Sequence, residues 1–124
     1  MRRPPGGVSL GAAGEERAAL HLAAEGWTII ARNYRSRFGE VDIVASKGDE
    51  VAFVEVKAWR ALAQGDLEYA VDRRKQARVA FTARRYLADN RDLAGRRIRF
   101  DVVFLGSDEA GVRHIEHAFD GGID

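Results

Sequence analysis

The chain is 124 residues long, which is enough for one modest hydrophobic core and too short for two. Its formal net charge is only +1, so nucleic-acid binding would need local clusters of charge rather than an overall positive field. The absence of cysteine excludes disulfides, thiolate metal sites and cysteine nucleophiles.

No apolar run in the sequence approaches the roughly 20 residues that a membrane-spanning helix needs. Residues 1–7 include two arginines and two prolines, and the apolar segment of a secretory signal does not follow them. We therefore expect a disordered arm over residues 1–10, one domain over residues 11–120, no membrane partner and a cytoplasmic location.

The first half of the chain predicts one helix followed by three strands. Residues 12–25 are rich in alanine, and Gly26 stands where a glycine commonly ends a helix. Residues 27–35, 40–45 and 51–57 are rich in β-branched and aromatic residues, which favour strands.

The second half predicts a loop, a helix and two further strands. Residues 61–66 lack periodicity and are expected to form a mobile loop. Residues 72–88 have apolar residues at helical spacing, with Asp72 as the N-cap. Residues 99–105 form an apolar run typical of a strand buried on both faces, and residues 112–119 add an edge strand. The order α-β-β-β-α-β-β predicts an α/β fold in which helices flank a mixed sheet.

A short turn sets the register of the second and third predicted strands. Gly48 and Asp49 form a favoured two-residue hairpin loop, in which glycine supplies the positive φ angle. Because strand side chains alternate, residues at matching distances from this turn project in opposed pairs from one face. The opposed pairs are Asp42 with Glu55, Glu40 with Lys57, and Val44 with Phe53.

This register places the carboxylates of Asp42 and Glu55 side by side, with Lys57 one step along the same face. Like charges in opposed positions destabilise a sheet, and a divalent cation between them would remove the conflict. Ligands that are all oxygen favour Mg²⁺ or Mn²⁺. Lys57 could orient or deprotonate an attacking water, or neutralise charge in the transition state. The same pattern also fits a solvated sheet face on which Glu40 and Lys57 form an ordinary ion pair.

Two segments of this hairpin resemble the motif of the PD-(D/E)XK nucleases, in which an aspartate precedes Glu-X-Lys on the next strand. They are Gly-Glu-Val-Asp-Ile-Val at residues 39–44 and Phe-Val-Glu-Val-Lys at residues 53–57, with Val41 where many members have proline. From about residue 11 to residue 119 the chain is similar to the YraN-like family of small bacterial proteins, which resemble archaeal Holliday-junction resolvases. Further matching segments are Gly14-Glu15, Gly26-Trp27, Arg32-Asn33-Tyr34-Arg35, Lys75 and Arg99-Phe100-Asp101-Val102-Val103.

The resemblance implies a restriction-endonuclease-like core and a Mg²⁺- or Mn²⁺-dependent endonuclease acting on DNA, including branched or single-stranded DNA. The metal ligands that it implies are Asp42, Glu55, Glu15 and the carbonyl of Val56. Helical periodicity by itself does not choose Glu15 over its neighbour Glu16 for this role. The competing function is a non-catalytic nucleic-acid-binding or assembly module that keeps the nuclease fold.

Basic residues near the predicted site are candidates for binding nucleic acid. They are Lys75, Arg74 and Arg78 in the second helix, and Arg35 at the end of the first strand. Contacts from such residues to phosphates add affinity that depends on salt, whereas the alternative is a solvated basic face. A homodimer is a further expectation from the resemblance, because a four-way junction has two-fold symmetry.

Asp101 interrupts the apolar run of residues 99–105. A buried aspartate needs a partner, and Arg99 lies two residues earlier on the same face of the predicted strand. We therefore predict a structural ion pair between Arg99 and Asp101.

Overall fold

The computed structural model describes residues 11–58, 72–106 and 111–123. The predicted disordered arm over residues 1–10 and the predicted mobile loop over residues 61–66 lie outside the described residues. The elements, in chain order, are α1 (Gly11–Ala24), β1 (Thr28–Arg35), β2 (Glu40–Lys47), β3 (Glu50–Ala58), α2 (Arg73–Asp89), β4 (Arg97–Leu105) and β5 (Val112–Phe119). A 3-10 turn, Arg91–Leu93, lies between α2 and β4. The predicted order of helices and strands is confirmed.

The strands form one five-stranded sheet in the order β1-β2-β3-β4-β5. β3 and β4 pair in parallel, and the three other neighbouring pairs are antiparallel, so the predicted mixed sheet is confirmed. β3 lies at the centre of the sheet, and both it and β4 are buried along almost their whole length. β3, which carries Glu55 and Lys57, is therefore a buried strand with a paired strand on each side.

One helix covers each face of the sheet. Ala18, Ala19 and Leu22 of α1 pack in a cluster with alternate residues of β2 and β3, including Ile43 and Val54. α2 packs on the residues between them. Its contacting side chains include Val79, Ala80, Ala83 and Tyr86, and the strand residues that they meet include Val44 and Phe53. Successive strand residues face opposite sides of a sheet, so these two clusters are separate layers of one α/β/α sandwich. Neither helix is long and apolar enough to cross a membrane.

The turn between β2 and β3 has the predicted geometry. β2 ends at Lys47 and β3 begins at Glu50, so Gly48 and Asp49 form the loop. Gly48 has a φ angle of 61°, which suits the first position of a two-residue hairpin turn. The pairs Ile43–Val54 and Val44–Phe53 confirm the predicted register.

A capping contact fixes the start of α2. The side chain of Asp72 accepts a hydrogen bond from the backbone N–H of Lys75 at 2.8 Å, as predicted for an N-cap residue. Lys75 consequently lies in the first turn of the helix. Its position relative to β3 is therefore set by the helix start, and this brings its side chain to the candidate site.

The predicted pair of Arg99 and Asp101 is confirmed and is the centre of a larger network. Arg99 binds both carboxylate oxygens of Asp101, at 3.1 and 2.8 Å. His114 contacts Asp101 through Nε2 at 2.7 Å, and the backbone N–H of His117 donates to the same carboxylate. Arg99 also reaches Glu50 and Glu116 of neighbouring strands. The network links β3, β4 and β5 through side chains, and its role is structural rather than part of the candidate site.

Candidate metal centre

Asp42 and Glu55 meet where the ladder between β2 and β3 ends. Both residues are buried, with 9% and 7% of their surface exposed. The described backbone pairs between β2 and β3 end at Ile43–Val54. Beyond that pair, a side chain makes the contact between the two strands. The Oδ2 of Asp42 accepts a hydrogen bond from the backbone N–H of Val56 at 2.7 Å. This contact turns the Asp42 carboxylate toward the segment that carries Glu55.

The surroundings of Asp42 disfavour its charged form. Burial raises its pKa most, and the negative charge of Glu55 raises it further, to about 7. The hydrogen bond from the N–H of Val56 lowers the pKa, but it does not offset these effects. The charges of Glu40 and Glu15 add to the increase. The site is therefore a cluster of acids that lacks enough positive charge to keep Asp42 ionised.

Glu55 is held on one oxygen and left without a partner on the other. Its Oε2 lies 2.9 Å from the Nζ of Lys75 and 3.8 Å from the Nζ of Lys57. Its Oε1 is buried and has no hydrogen-bond partner among the described residues. A buried carboxylate oxygen without a partner costs free energy, so it marks a place where a cation or a water would bind.

Of the two candidate glutamates in α1, Glu15 is the one near this cluster. Its charge contributes to the raised pKa of Asp42, and its Oε1 accepts a hydrogen bond from Asn33 at 3.0 Å. Glu16 instead forms a surface ion pair with Arg32 at 3.0 Å. Within the described ranges, no three His, Cys, Asp or Glu side chains are grouped closely enough to hold a metal ion. In this structure Glu15 therefore does not complete a three-carboxylate metal site with Asp42 and Glu55.

The donors present suit a hard divalent cation. Asp42, Glu55 and the backbone carbonyl of Val56 offer oxygen ligands only, which Mg²⁺ and Mn²⁺ prefer. The unpartnered Oε1 of Glu55 and the raised pKa of Asp42 are both relieved by a cation placed between the two carboxylates. These residues fit a metal ion, and Glu15 is available nearby as an additional acidic group.

The ion pairs around the site differ from the pair of Glu40 with Lys57 that the alternative interpretation of the sequence predicts. Glu40 pairs with Arg35 of β1 at 3.0 Å, and Lys57 lies beside Glu55 instead of Glu40. The interpretation of Glu40 and Lys57 as an ordinary surface pair is therefore wrong. Lys75, which is also one of the residues predicted to contact phosphates, is the closest cation to Glu55 among the described residues. Its approach to Glu55 depends on how α2 docks on the sheet.

A cleft of about 380 Å³ has Lys75, the ion-pair partner of Glu55, in its lining. It lies between the end of β1 and the start of α2, and its lining residues are Arg35, Ser36, Gly39, Glu40, Lys75, Arg78 and Val79. Three of the four residues predicted to bind nucleic acid therefore share one cleft. The fourth, Arg74, is exposed and is not part of the lining.

Metal affinity should increase with pH up to about 7 and level off above it. Asp42 holds a proton below its raised pKa of about 7, and a cation needs the deprotonated carboxylate. Each pH unit below that value should weaken Mn²⁺ binding by up to about tenfold. Calorimetry in buffers of different ionisation enthalpy would measure both the affinity and the protons released. Affinity that stays constant between about pH 5 and pH 8 would contradict metal binding by an Asp42 carboxylate with a raised pKa.

Comparison with known proteins identifies the family. The sequence model of the uncharacterised protein family UPF0102 matches residues 14–105. A UPF0102 protein of Treponema pallidum strain Nichols is 43% identical over 116 residues, covering 90% of this chain and 92% of the relative. A UPF0102 protein of Myxococcus xanthus is 45% identical over 115 residues, covering 91% of this chain and 90% of the relative. A UPF0102 protein of Moorella thermoacetica is 44% identical over 113 residues, covering 88% of this chain and 93% of the relative. The chain thus belongs to the UPF0102 family, the YraN-like family that its sequence resembles.

Proposed function

We propose that this protein is a Mg²⁺- or Mn²⁺-dependent endonuclease that hydrolyses phosphodiester bonds in DNA, including branched or single-stranded DNA. The observation that carries the proposal is the pair of buried carboxylates, Asp42 and Glu55, with one Glu55 oxygen lacking a partner. Two acids at this depth destabilise the metal-free protein, and divalent-cation binding gives the arrangement a purpose. The restriction-endonuclease-like core belongs to the same proposal.

Each residue of the site has a role that its position supports. Asp42, Glu55 and the Val56 carbonyl would hold the cation, which when bound supplies a more acidic water and stabilises charge on the phosphate. Lys57 lies on the same face as Glu55, where it would orient the attacking water. The water oxygen would form a bond to phosphorus and give one proton to bulk solvent. The bond from phosphorus to one sugar oxygen would break, and the leaving oxygen would keep the electron pair and take a proton from solvent.

The cleft beside the site supports a polyanionic substrate. Arg35, Lys75 and Arg78 place three basic groups along one side of the acidic centre. Arginine forks match phosphate oxygens, so this lining would hold a nucleic-acid backbone with a phosphate near the two carboxylates. The neighbouring positive charge also offsets the repulsion that the acidic centre would exert on the substrate.

The second candidate function is a nucleic-acid-binding module without catalysis. The observation that favours it is the ion pair between Lys75 and Glu55 at 2.9 Å, which already supplies a positive charge to one carboxylate. In such a module Lys75 would act as a permanent counter-ion. DNA would then still bind in the cleft, but divalent cations would change neither stability nor DNA integrity.

Incubation with defined DNA substrates distinguishes the two functions. The panel is duplex, single-stranded, flap and four-way-junction DNA, each with Mn²⁺ or with EDTA. We expect Mn²⁺-dependent cleavage of at least one substrate. Lys57→Ala should slow this cleavage by roughly 100-fold or more, since groups that orient a nucleophile or transfer its proton contribute about 10²–10⁴-fold.

Lys47→Ala is a matched control for this experiment. Lys47 is the last residue of β2, next to the turn of the same hairpin and away from the candidate site. Its Nζ donates a hydrogen bond to the carbonyl of Glu25. Its removal should leave the cleavage rate unchanged. Cleavage that persists in the Lys57→Ala protein would come from a contaminant or another site, and binding without any cleavage would support the non-catalytic module.

A further inference from the structure

The turn between β1 and β2, residues 36–39, is fastened to α2. Ser36 and Thr82 share a hydroxyl hydrogen bond of 2.7 Å, and the N–H of Ser36 donates to the carbonyl of Gly39 at 2.8 Å. A Cβ atom on Gly39 would lie 3.2 Å from the Cβ of Arg78, so glycine permits this close approach. The turn is thus a fixed part of the sandwich.

This fixed turn presents an aromatic ring to solvent. Phe38 is 54% exposed and is one of three large hydrophobic residues exposed in the described part of the chain. Its ring packs edge-to-face on Phe81 of α2 with centroids 4.8 Å apart. The guanidinium of Arg37 lies over the ring, 5.5 Å from its centroid. Because more than half of Phe38 is still exposed, the ring offers a surface on which another planar group can stack.

Basic side chains line the surface between Phe81, on which the ring packs, and Lys75 at the acidic centre. A second cleft, of about 360 Å³, has as its lining Tyr34, Arg35, Ser36, Arg37, Phe81 and Arg85. It shares Arg35 and Ser36 with the cleft beside the carboxylates. Arg37, Arg78 and Arg85 have no ion-pair partner among the residues that the structure describes. We call the two joined clefts the arginine path.

We propose that the arginine path binds an unpaired segment of nucleic acid, with its phosphates on the arginines and one base stacked on Phe38. This inference rests on the proposed function, because the path includes Lys75, which contacts Glu55 of the candidate metal centre. Bases inside a duplex already stack on each other, so only an unpaired or terminal base offers a free face to a protein ring. The phosphates would give Arg37, Arg78 and Arg85 the anionic partners that an apolar peptide could not supply.

Binding without divalent cations tests the proposal. Fluorescence anisotropy in EDTA would compare a labelled thymidine oligonucleotide with a duplex hairpin that has no unpaired overhang. Base stacking contributes about 1–3 kcal/mol, so Phe38→Ala should weaken single-strand binding by roughly 5- to 150-fold. Duplex binding should change by less than about twofold. Phe38→Trp should retain single-strand binding, and its added fluorescence should be quenched by the oligonucleotide.

Two further variants keep the result interpretable. Phe38→Leu preserves apolar packing on Phe81 without a flat aromatic face, so it should lose most of the single-strand affinity while its melting temperature stays unchanged. Leu20→Ala removes another exposed apolar side chain, which lies on α1 and is 61% exposed, and should leave both affinities unchanged. Equal binding of single strand and duplex, or affinities insensitive to every Phe38 variant, would overturn the proposal.

Cleavage and binding fail independently in this design. Asp42→Asn should remove Mn²⁺-dependent cleavage and keep Phe38-dependent binding, so loss of the nuclease proposal leaves the arginine path intact. If Phe38→Ala kept both the cleavage rate and the single-strand affinity of the wild type, the proposal for the arginine path would be wrong and the nuclease proposal would stand. Light scattering, which measures the oligomeric state, tests whether a second copy of the chain binds at Phe38 instead. A dimer that Phe38→Ala dissociates would assign the ring to self-association and also overturn the proposal.

Discussion

Asp42→Asn should abolish DNA cleavage and also make the metal-free protein more stable at about pH 8. Asparagine can still accept the N–H of Val56, but it carries no charge to hold a cation. The pKa of Asp42 is raised from its ordinary value to about 7, so the folded state binds the proton more tightly than the unfolded state. Stability from this group is therefore present at low pH and is lost as pH rises from about 4 to about 7.

The size of the effect has an upper limit. A pKa raised by about three pH units corresponds to roughly 4 kcal/mol, and relaxation around a charged carboxylate reduces this. We expect a gain of about 1–2 kcal/mol, which is several degrees in melting temperature for a domain of this size. Thermal unfolding with and without millimolar Mn²⁺ measures both consequences. Wild-type protein should be stabilised by Mn²⁺ and the variant should not.

Asp49→Asn is the matched control for Asp42→Asn. Asp49 lies in the turn at the other end of the hairpin, and its side chain is 68% exposed. The same substitution there should leave metal stabilisation and cleavage unchanged. If Asp42→Asn kept the full Mn²⁺ response, Asp42 would not be a ligand and the proposed centre would be wrong.

Asp101→Ala should cause the largest loss of stability of any change proposed for this chain. Burial alone would raise the pKa of Asp101, but hydrogen bonds from His114, Arg99 and the N–H of His117 hold it below its ordinary value. Removing the carboxylate leaves the buried guanidinium of Arg99 with the carboxylates of Glu50 and Glu116 and the ring of Trp27. Breaking a buried pair from one side costs about 3–5 kcal/mol, a large share of the roughly 5–15 kcal/mol that stabilises a domain.

Urea denaturation at about pH 7 measures this loss. Asp92→Ala is a suitable control because Asp92 is exposed in the 3-10 turn, and it should change stability by less than about 0.5 kcal/mol. The contribution of Asp101 should also fall as pH decreases through its lowered pKa, since protonation weakens its ion pair. A loss below about 1 kcal/mol for Asp101→Ala would show that the network is not needed for stability.

The hairpin could be predicted because its determinants are local. A two-residue Gly48-Asp49 loop allows one register only, and that register follows the chain as far as Ile43–Val54. The contact between Asp42 and the N–H of Val56 could not be predicted in the same way. It depends on where the backbone ladder stops, which is set by packing of the whole sheet and not by the turn.

Contacts between distant elements explain the other differences. Glu15 and Glu16 are neighbours in sequence, so only the docking of α1 beside Asn33 and Arg32 separates their roles. The network around Asp101 depends on a register shift between Phe100 and Val102 in the pairing of β4 with β5. Such irregularities have no periodic signature in the sequence, so residue spacing predicts the contact of Asp101 with Arg99 but not its contact with His114.

The Lys75–Glu55 ion pair would separate folding of this protein from the supply of the metal ion proposed for it. An ammonium group 2.9 Å from the carboxylate neutralises one acid from the moment that α2 docks, so a newly made chain can reach its native state before any metal arrives. The ammonium is tethered and cannot diffuse away, whereas a metal ion exchanges with the surroundings. Chelation should therefore yield a folded, inactive protein that regains activity on simple addition of Mn²⁺, with no refolding step.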